Sequence, residues 1–173
     1  QNLSKKDVER LVKNIAKEYR KESFRQAIQQ LEKSDMVHVV GAGNLGKTTA
    51  AGNPADRLGS NVPEHKGQLD SEGKATAIDA RQSVNTITFD FKQIDGQQLF
   101  SEREVTRHEL GHALQIDTDP VSEYNATQGQ RETEATKFDE DVAKEKDSMS
   151  KEQAEQKVRQ ILGLPEKEKE EKK

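Results

Sequence analysis

The sequence predicts an α+β fold in which a small antiparallel or mixed sheet packs on a central helix and on the helix after it. A long N-terminal helix completes the predicted architecture. Asn85–Lys92 alternates apolar and polar residues as a half-buried strand does, whereas Asn2–Lys33 repeats apolar residues at helical spacing. Of the 173 residues 30% are hydrophobic and 35% charged, so we expect one domain with a small core.

The N-terminal segment Asn2–Lys33 is predicted to be helical. Ser4 is a suitable N-cap with Asp7 three residues later, and a break is expected near Glu22-Ser23. One face of the predicted helix carries an apolar stripe of Val8, Leu11, Val12, Ile15 and Tyr19. This amphipathic arm needs a partner surface.

The middle of the chain is predicted to hold short strands separated by loops. Met36–Val40 is a short apolar run, and Ala75–Asp79 is a second candidate strand. Residues 41–73 are rich in Gly, Asn and Pro and show no sustained periodicity, so we expect mostly loop there. Asp95-Gly96 is predicted to turn the chain after the strand at Asn85–Lys92.

A helix is predicted to begin after Ser101, because Ser101 and Glu104 have the spacing of a capping box. Its apolar positions are Val105, Leu110, Ala113 and Leu114. Gly111 is a poor helix former, and its place inside this helix suggests that another backbone passes close by.

The C-terminal third is predicted to contain two further helices. Residues 115–130 include Pro120 and Gly129 and are predicted to be a loop that leads to a helix over about Arg131–Lys146. The last helix is predicted to start near Ser150, boxed with Gln153, and to end at Gly163. The charged tail, residues 165–173, is expected to be disordered.

The motif His108-Glu109-Leu110-Gly111-His112 is the strongest functional signal. Residues four apart share one helical face, so both imidazoles can bind one metal ion while Glu109 lies beside the reacting water. A chain of this composition is expected to contain H-E-x-x-H by chance only about 0.01 times. The spacing indicates a zinc-dependent metallopeptidase.

A catalytic zinc ion usually takes three protein ligands, so a third must lie elsewhere in the chain. The chain has no cysteine, and the candidates are therefore oxygen ligands downstream of the two histidines. Glu132, on a predicted helix 20 residues after His112, is one candidate. Glu134, Asp119 and Glu123 are the alternatives.

Two helices that carry H-E-x-x-H and then a ligand Glu resemble the gluzincin branch of zinc metallopeptidases. The 20-residue separation is similar to that in thermolysin, and Ala135 after Glu132 is similar to the E-x-x-A pattern of several such families. Thr136 departs from the pattern, because many gluzincins carry there an Asp that supports a histidine ligand. Either Asp139 supports the histidine instead, or this part of the site differs from the pattern.

The order of a long helix, a Gly-rich β region, R-H-E-L-G-H-A and E-x-E-A-x-x-F also resembles the small peptidase-like effector domains at the C-termini of bacterial Rhs-repeat toxins. The resemblance covers about residues 75–142 and implies a zincin-like fold, Zn²⁺ as cofactor and endopeptidase activity on a protein or peptide. It also implies a secreted or delivered effector with a cognate immunity protein. We expect an N-terminal arm at 1–35, the catalytic domain at 36–148 and a C-terminal helix at 149–164, followed by the tail.

In a peptidase mechanism Glu109 would be the general base, and a further donor would stabilise the transition state. Tyr124 and His65 are the candidates for this donor. Such peptidases commonly bind an extended substrate beside a sheet edge, and we expect Asn85–Lys92 in or next to that sheet.

Gly41–Thr48 is a competing motif, because it matches the P-loop pattern and follows the apolar run Met36–Val40. Gly52, Asn53 and Pro54 interrupt the helix that phosphate binding needs, and the next 50 residues supply no series of parallel strands. The glycines are better explained as turns near the site. Nucleotide binding remains one alternative, and a non-catalytic zinc-binding or interaction module is another.

The charge pattern argues against two classes of partner. The net charge is −4 with acidic and basic residues interleaved, so no nucleic-acid partner is expected. No apolar run is long enough to span a membrane. The chain begins with neither a signal peptide nor an initiator Met, so we expect a processed product or an excised domain.

Overall fold

The computed structural model describes residues 3–46 and 58–167 and has an α+β architecture. Its three-stranded sheet consists of β1 (Val37–Ala42), β2 (Gly59–Glu64) and β5 (Val84–Phe89). β5 is the central strand, parallel to β1 and antiparallel to β2. β3 (Gly67–Leu69) and β4 (Ala75–Ile78) form a separate antiparallel pair.

The strands predicted at Met36–Val40 and Ala75–Asp79 are confirmed as β1 and β4. The strand predicted at Asn85–Lys92 is confirmed as β5 up to Phe89, but its last residues are wrong, because Asp90 caps a helix that begins at Phe91. The prediction of mostly loop over residues 41–73 is wrong for β2 and β3, and residues 47–57 of that segment lie outside the described residues. β2 reads Gly-Ser-Asn-Val-Pro-Glu, so it lacks an alternating apolar pattern. Its pairing with β5, rather than its own composition, makes it a strand.

The N-terminal segment forms two helices, α1 (Lys5–Tyr19) and α2 (Glu22–Lys33). Ser4 caps α1 by accepting a hydrogen bond from the Asp7 N–H, as predicted, and the break falls at residues 20–21. The buried residues of α1 contribute to both hydrophobic clusters of the protein. The apolar stripe therefore finds its partner surface within the chain.

Within the described residues, five α-helices follow β5: α3 (Phe91–Asp95), α4 (Glu102–Thr118), α5 (Pro120–Asn125), α6 (Gln128–Ala143) and α7 (Lys151–Ile161). The predicted capping boxes of Ser101 with Glu104 and of Ser150 with Gln153 are both present. The loop predicted over residues 115–130 is wrong for most of its length. α4 continues to Thr118, Asp119 caps α5, and a capping box at Thr127 starts α6.

No described helix has the length and apolar character needed to cross a membrane. Residues 164–167 have no regular secondary structure. Most of the tail for which disorder is expected, 168–173, lies outside the described residues, and the predicted domain boundaries stay a prediction.

A buried ionic network ties α1 to α4 and α6. Glu18 is fully buried, and its carboxylate lies 2.5 Å from Arg103 Nε and 3.3 Å from Arg107 Nη1. Arg107 also reaches α6, where its Nε donates to Asp139 Oδ1 at 2.5 Å. Buried charges are stable only when they are paired, so these contacts constrain the relative positions of three helices.

α4 and α6 approach each other closely at Gly111. A Cβ atom at this position would lie 3.1 Å from Ala135 Cα and 3.2 Å from the Ala135 carbonyl oxygen. Ala135 is itself fully buried. The close backbone approach that Gly111 suggests in the sequence is therefore confirmed.

We expect Gly111→Val to lower the free energy of unfolding by about 1–3 kcal/mol, because the added methyl groups overpack the α4–α6 contact. Gly129→Ala on α6 is the matched control, since a Cβ atom there meets nothing within 4 Å. The control is expected to be neutral or stabilising by up to about 1 kcal/mol. Urea denaturation measures both, and an equal effect of the two substitutions would contradict the close contact.

Candidate metal centre

Three potential metal ligands converge where α4 faces α6. His108 and His112 lie one turn apart on α4, with their Nε2 atoms 3.1 Å apart. Glu132 on α6 places Oε2 2.9 Å from His108 Nε2 and Oε1 3.2 Å from His112 Nε2. The two imidazoles and the carboxylate thus face one common point.

The donor set fits zinc. Tetrahedral zinc with bonds of 2.0–2.1 Å places neighbouring ligand atoms about 3.4 Å apart, close to the separations seen between these side chains. Two imidazoles and one carboxylate are a usual ligand set of catalytic zinc. Within the described residues, His108, His112 and Glu132 are the group of His, Asp or Glu side chains that comes together in this way.

The structure places the alternative third ligands differently. Glu134 is exposed on α6, and Asp119 caps α5. Glu123 borders the same cleft as the histidines, but its Oε1 lies 3.1 Å from Arg131 Nε. Among these carboxylates, Glu132 is the one next to both imidazoles.

The electrostatics of the cluster keep Glu132 anionic. Hydrogen bonds with His108 and His112 hold the pKa of the Glu132 carboxyl well below its usual range. Burial lowers the pKa of His108, but the hydrogen bond with Glu132 and the neighbouring carboxylates, including Glu109, outweigh it and raise this pKa overall. The cluster therefore favours a negative carboxylate facing two imidazoles.

Glu109 lies next to the ligands but on a different side of α4, between that helix and β2. It is 5% exposed. Asn61 Nδ2 donates to Glu109 Oε2 at 2.7 Å and to the Glu109 carbonyl oxygen at 2.9 Å. A Cβ atom at Gly59 would lie 2.5 Å from Glu109 Cγ, so a side chain there would displace the carboxylate.

Burial raises the pKa of Glu109, against the lowering effects of the imidazoles and of the Asn61 amide. The sequence reasoning missed both Gly59 and Asn61. They belong to the segment predicted as loop, where Gly and Asn are expected for turn formation. Nothing in the sequence of β2 distinguishes a Gly or Asn that forms a turn from one that contacts Glu109.

An open cleft of about 680 Å³ borders the cluster and is lined by β2, α4, α5 and α6. The two predicted donors, Tyr124 and His65, lie in its wall with an edge-to-face contact at 6.0 Å between ring centroids. The His65 side chain is 7% exposed, and neither ring nitrogen has a hydrogen-bond partner among the described residues. Burial lowers the pKa of His65.

Asp139 does not take the place of the Asp that supports a ligand histidine in many gluzincins. Its Oδ1 accepts a hydrogen bond from Arg107 Nε, as part of the α4–α6 contact. Thr136 is exposed. This part of the site therefore differs from the resemblance.

The described part of the P-loop-like segment binds a carboxylate of the protein itself. The Leu45 N–H donates to Asp90 Oδ2 at 2.9 Å, and the Gln93 N–H donates to Asp90 Oδ1 at 3.0 Å. Lys47 and Thr48 of the motif lie outside the described residues. This arrangement lends no support to nucleotide binding.

Searches of protein-family models, curated proteins and solved structures find no match to this chain. Its function must therefore be inferred from the geometry of the site.

We expect the wild-type protein to bind one equivalent of zinc and Glu132→Ala to weaken binding by more than about 100-fold. Loss of an outer-shell partner alone typically costs 10–100-fold, and a direct ligand should cost more. Competition with a chromophoric zinc chelator measures the affinity on protein purified without a metal-affinity tag. Glu134→Ala on the same helix is the control, and a loss of zinc in that variant instead would assign the ligand to Glu134.

Proposed function

We propose that this protein is a zinc-dependent endopeptidase that hydrolyses a peptide bond in a protein substrate. The proposal is carried by the convergence of His108, His112 and Glu132 beside Glu109, a buried carboxylate that belongs to the same cleft without being part of the ligand triangle. Three ligands with an adjacent base are the arrangement of hydrolytic zinc sites.

Zn²⁺ held by His108, His112 and Glu132 would supply Lewis-acid polarisation of the scissile carbonyl and would lower the pKa of water. Glu109 is the general base: it accepts the proton of the attacking water and passes it to the leaving amine. Its position between α4 and β2 holds the carboxylate close to the ligands. The Asn61 amide fixes one carboxylate oxygen and leaves the other for proton transfer.

The strand β2 is the proposed binding edge for an extended substrate. β5, within the segment expected in or next to the binding sheet, is the central strand, and β2 is its neighbour on the side of the cleft. Gly59, Ser60, Asn61 and Pro63 of β2 all border the cleft. A peptide added beside β2 would pass over the ligands with main-chain hydrogen bonds to the strand.

Between the two candidate donors, the structure favours His65. Its ring is buried in the cleft wall, and its nitrogens lack hydrogen-bond partners among the described residues, since Glu123 Oε2 lies 4.0 Å from Nε2. A substrate oxygen would therefore satisfy a polar group that is costly to leave without a hydrogen bond. Tyr124 is 39% exposed and packs against the His65 ring. His65 would donate to the oxyanion, with Tyr124 fixing the orientation of its ring.

The resemblance to Rhs-toxin effector domains extends the proposal to a secreted or delivered bacterial effector with an immunity protein as partner. The R-H-E-L-G-H-A and E-x-E-A-x-x-F motifs carry that extension. Substrate and delivery are predictions of the resemblance.

We expect Glu109→Gln to retain zinc and to lower kcat by about 10²–10⁴-fold, the usual contribution of a general base. Gln has the size of Glu and can still accept the hydrogen bond of Asn61, so the fold should be unchanged. Cleavage of a fluorogenic peptide library, read together with zinc content, measures the effect. Glu134→Gln serves as the control, and wild-type turnover by Glu109→Gln would exclude this mechanism.

Chelation distinguishes the peptidase from an interaction module. Removing the metal with a chelator should abolish cleavage, and adding back one equivalent of zinc should restore it. A protein that cleaves the library equally well with and without the chelator would not be a zinc peptidase.

We expect His65→Ala to lower kcat by about 10²–10³-fold with unchanged zinc content, as removal of one oxyanion donor does. Tyr124→Phe keeps the ring contact and removes only the hydroxyl, so it should lower kcat by less than about threefold on this scale. Steady-state kinetics of both variants on one cleaved peptide compare the two donors. A larger loss in Tyr124→Phe would assign the role to Tyr124.

A further inference from the structure

A line of polar side chains crosses the inner face of the sheet and connects Glu109 to Asp117 at the far end of α4. Asn61 Nδ2 donates to Glu109 Oε2 at 2.7 Å, and Asn85 Nδ2 donates to Asn61 Oδ1 at 2.9 Å. Asn85 Nδ2 also lies 3.4 Å from His38 Nδ1, and His38 Nε2 lies 3.3 Å from Asp117 Oδ1. The line runs through all three strands of the sheet.

Asn85 is the least expected member of this line. It is fully buried on β5, on the inward face that also carries Ile87 and Phe89. An amide buried among apolar side chains costs free energy unless its hydrogen bonds are made, and its Oδ1 has no partner among the described residues. Packing alone would favour an apolar residue at this position, so the amide group needs another explanation.

The directions of the hydrogen bonds agree along the whole line. A carboxylate only accepts, so Asn61 must present its NH₂ group to Glu109 and its carbonyl oxygen to Asn85. Asn85 then presents both of its N–H groups, one to Asn61 and one to His38 Nδ1. With Nδ1 as an acceptor, neutral His38 carries its proton on Nε2, which faces Asp117.

The anchor at Asp117 is itself held by α2 and the segment after it. Gln30 Nε2 donates to Asp117 Oδ2 at 2.8 Å, and the Ser34 hydroxyl donates to Asp117 Oδ1. Asp117 is therefore fixed as an acceptor, and this sets the tautomer of His38. Successive polar contacts thus connect α2 to Glu109 on α4, and each contact fixes the orientation of the next side chain.

A reversed Asn61 amide would place a carbonyl oxygen against the Glu109 carboxylate at hydrogen-bond distance. The Asn85 amide opposes that reversal, because its N–H would then face the NH₂ group of Asn61. We propose that Asn85 and His38 are positioning residues, which act through the Asn61 amide to hold the carboxylate of Glu109 in place. The inference rests on the proposed function only for the catalytic role of Glu109.

The side-chain NH₂ resonances of Asn61 test the proposal without any substrate. In the ¹⁵N-labelled wild-type protein, one Asn61 proton should be shifted downfield and should exchange slowly with solvent, because it binds a buried carboxylate. Asn85→Leu removes the amide at similar volume, and we expect exchange at least 10-fold faster with loss of the downfield shift. Thr86→Val, on the opposite face of the same strand, is the control and should leave the Asn61 signal unchanged.

His38→Leu is the second variant and removes the acceptor of Asn85, so it should change the Asn61 signal in the same direction even if Asn85→Leu does not fold. In a folded variant, unchanged Asn61 protons would overturn the proposal. In the zinc-loaded enzyme, Asn85→Leu should lower kcat at least 10-fold with KM within about twofold and zinc content unchanged. If the Asn61 signals change in the variants but the wild-type protein has no peptidase activity, the line of hydrogen bonds is supported and the proposed function is rejected. If the wild-type protein is an active peptidase but the Asn61 signals stay unchanged in the variants, the proposed function is supported and the positioning role of Asn85 and His38 is rejected.

Discussion

The close contact between α4 and α6 sets the geometry on which the candidate metal centre depends. Gly111 lies against Ala135, and this pair stands between the two histidines on one helix and just after Glu132 on the other. Backbones can approach this closely only where side chains are small. A bulkier pair would move Glu132 away from the imidazoles, and a ligand triangle with edges near 3 Å tolerates little displacement.

The buried ions explain how a chain with few apolar residues holds that contact. Arg107 precedes His108 and bridges Glu18 on α1 to Asp139 on α6. Breaking such a buried pair by removal of one partner typically costs about 3–5 kcal/mol, since the other charge is left without compensation. Glu18 is fully buried, so the N-terminal helix is part of the support of the site rather than an independent attachment.

The sequence predicts those parts of the site that follow from local rules. The capping box at Ser101, the face shared by His108 and His112, and the close approach at Gly111 all depend on residues within one or two helical turns. Glu132 could be chosen over Glu134 only by resemblance, because both lie on the same predicted helix. The structure separates them by direction, since only Glu132 faces α4.

The elements that the sequence does not predict depend on contacts between residues that are distant in sequence. β2 has one branched apolar residue, Val62, and that side chain is exposed. Its inward positions carry Gly59 and Asn61, which contact Glu109 and have low strand propensity. A strand whose inward residues are polar or small, because they contact a site, shows no alternating apolar pattern and is not predicted from the sequence. The helix at Pro120–Asn125 was missed for a related reason: Asp119, Pro120 and Ser122 suit a turn as well as a capped helix start.

The environment of Glu109 also bears on whether zinc here would be structural or catalytic. A structural zinc site closes its coordination with four protein ligands, whereas three side chains converge in the described protein and a cleft opens beside them. A structural zinc site does not require a further buried carboxylate, such as that of Glu109, which lies beside the ligands without binding the metal. Burying the Glu109 carboxylate costs free energy, which the hydrogen bond that Oε2 accepts from Asn61 only partly offsets. A buried carboxylate that the Asn61 amide holds at the edge of an open cleft therefore supports the proposed role in proton transfer rather than a role in metal retention.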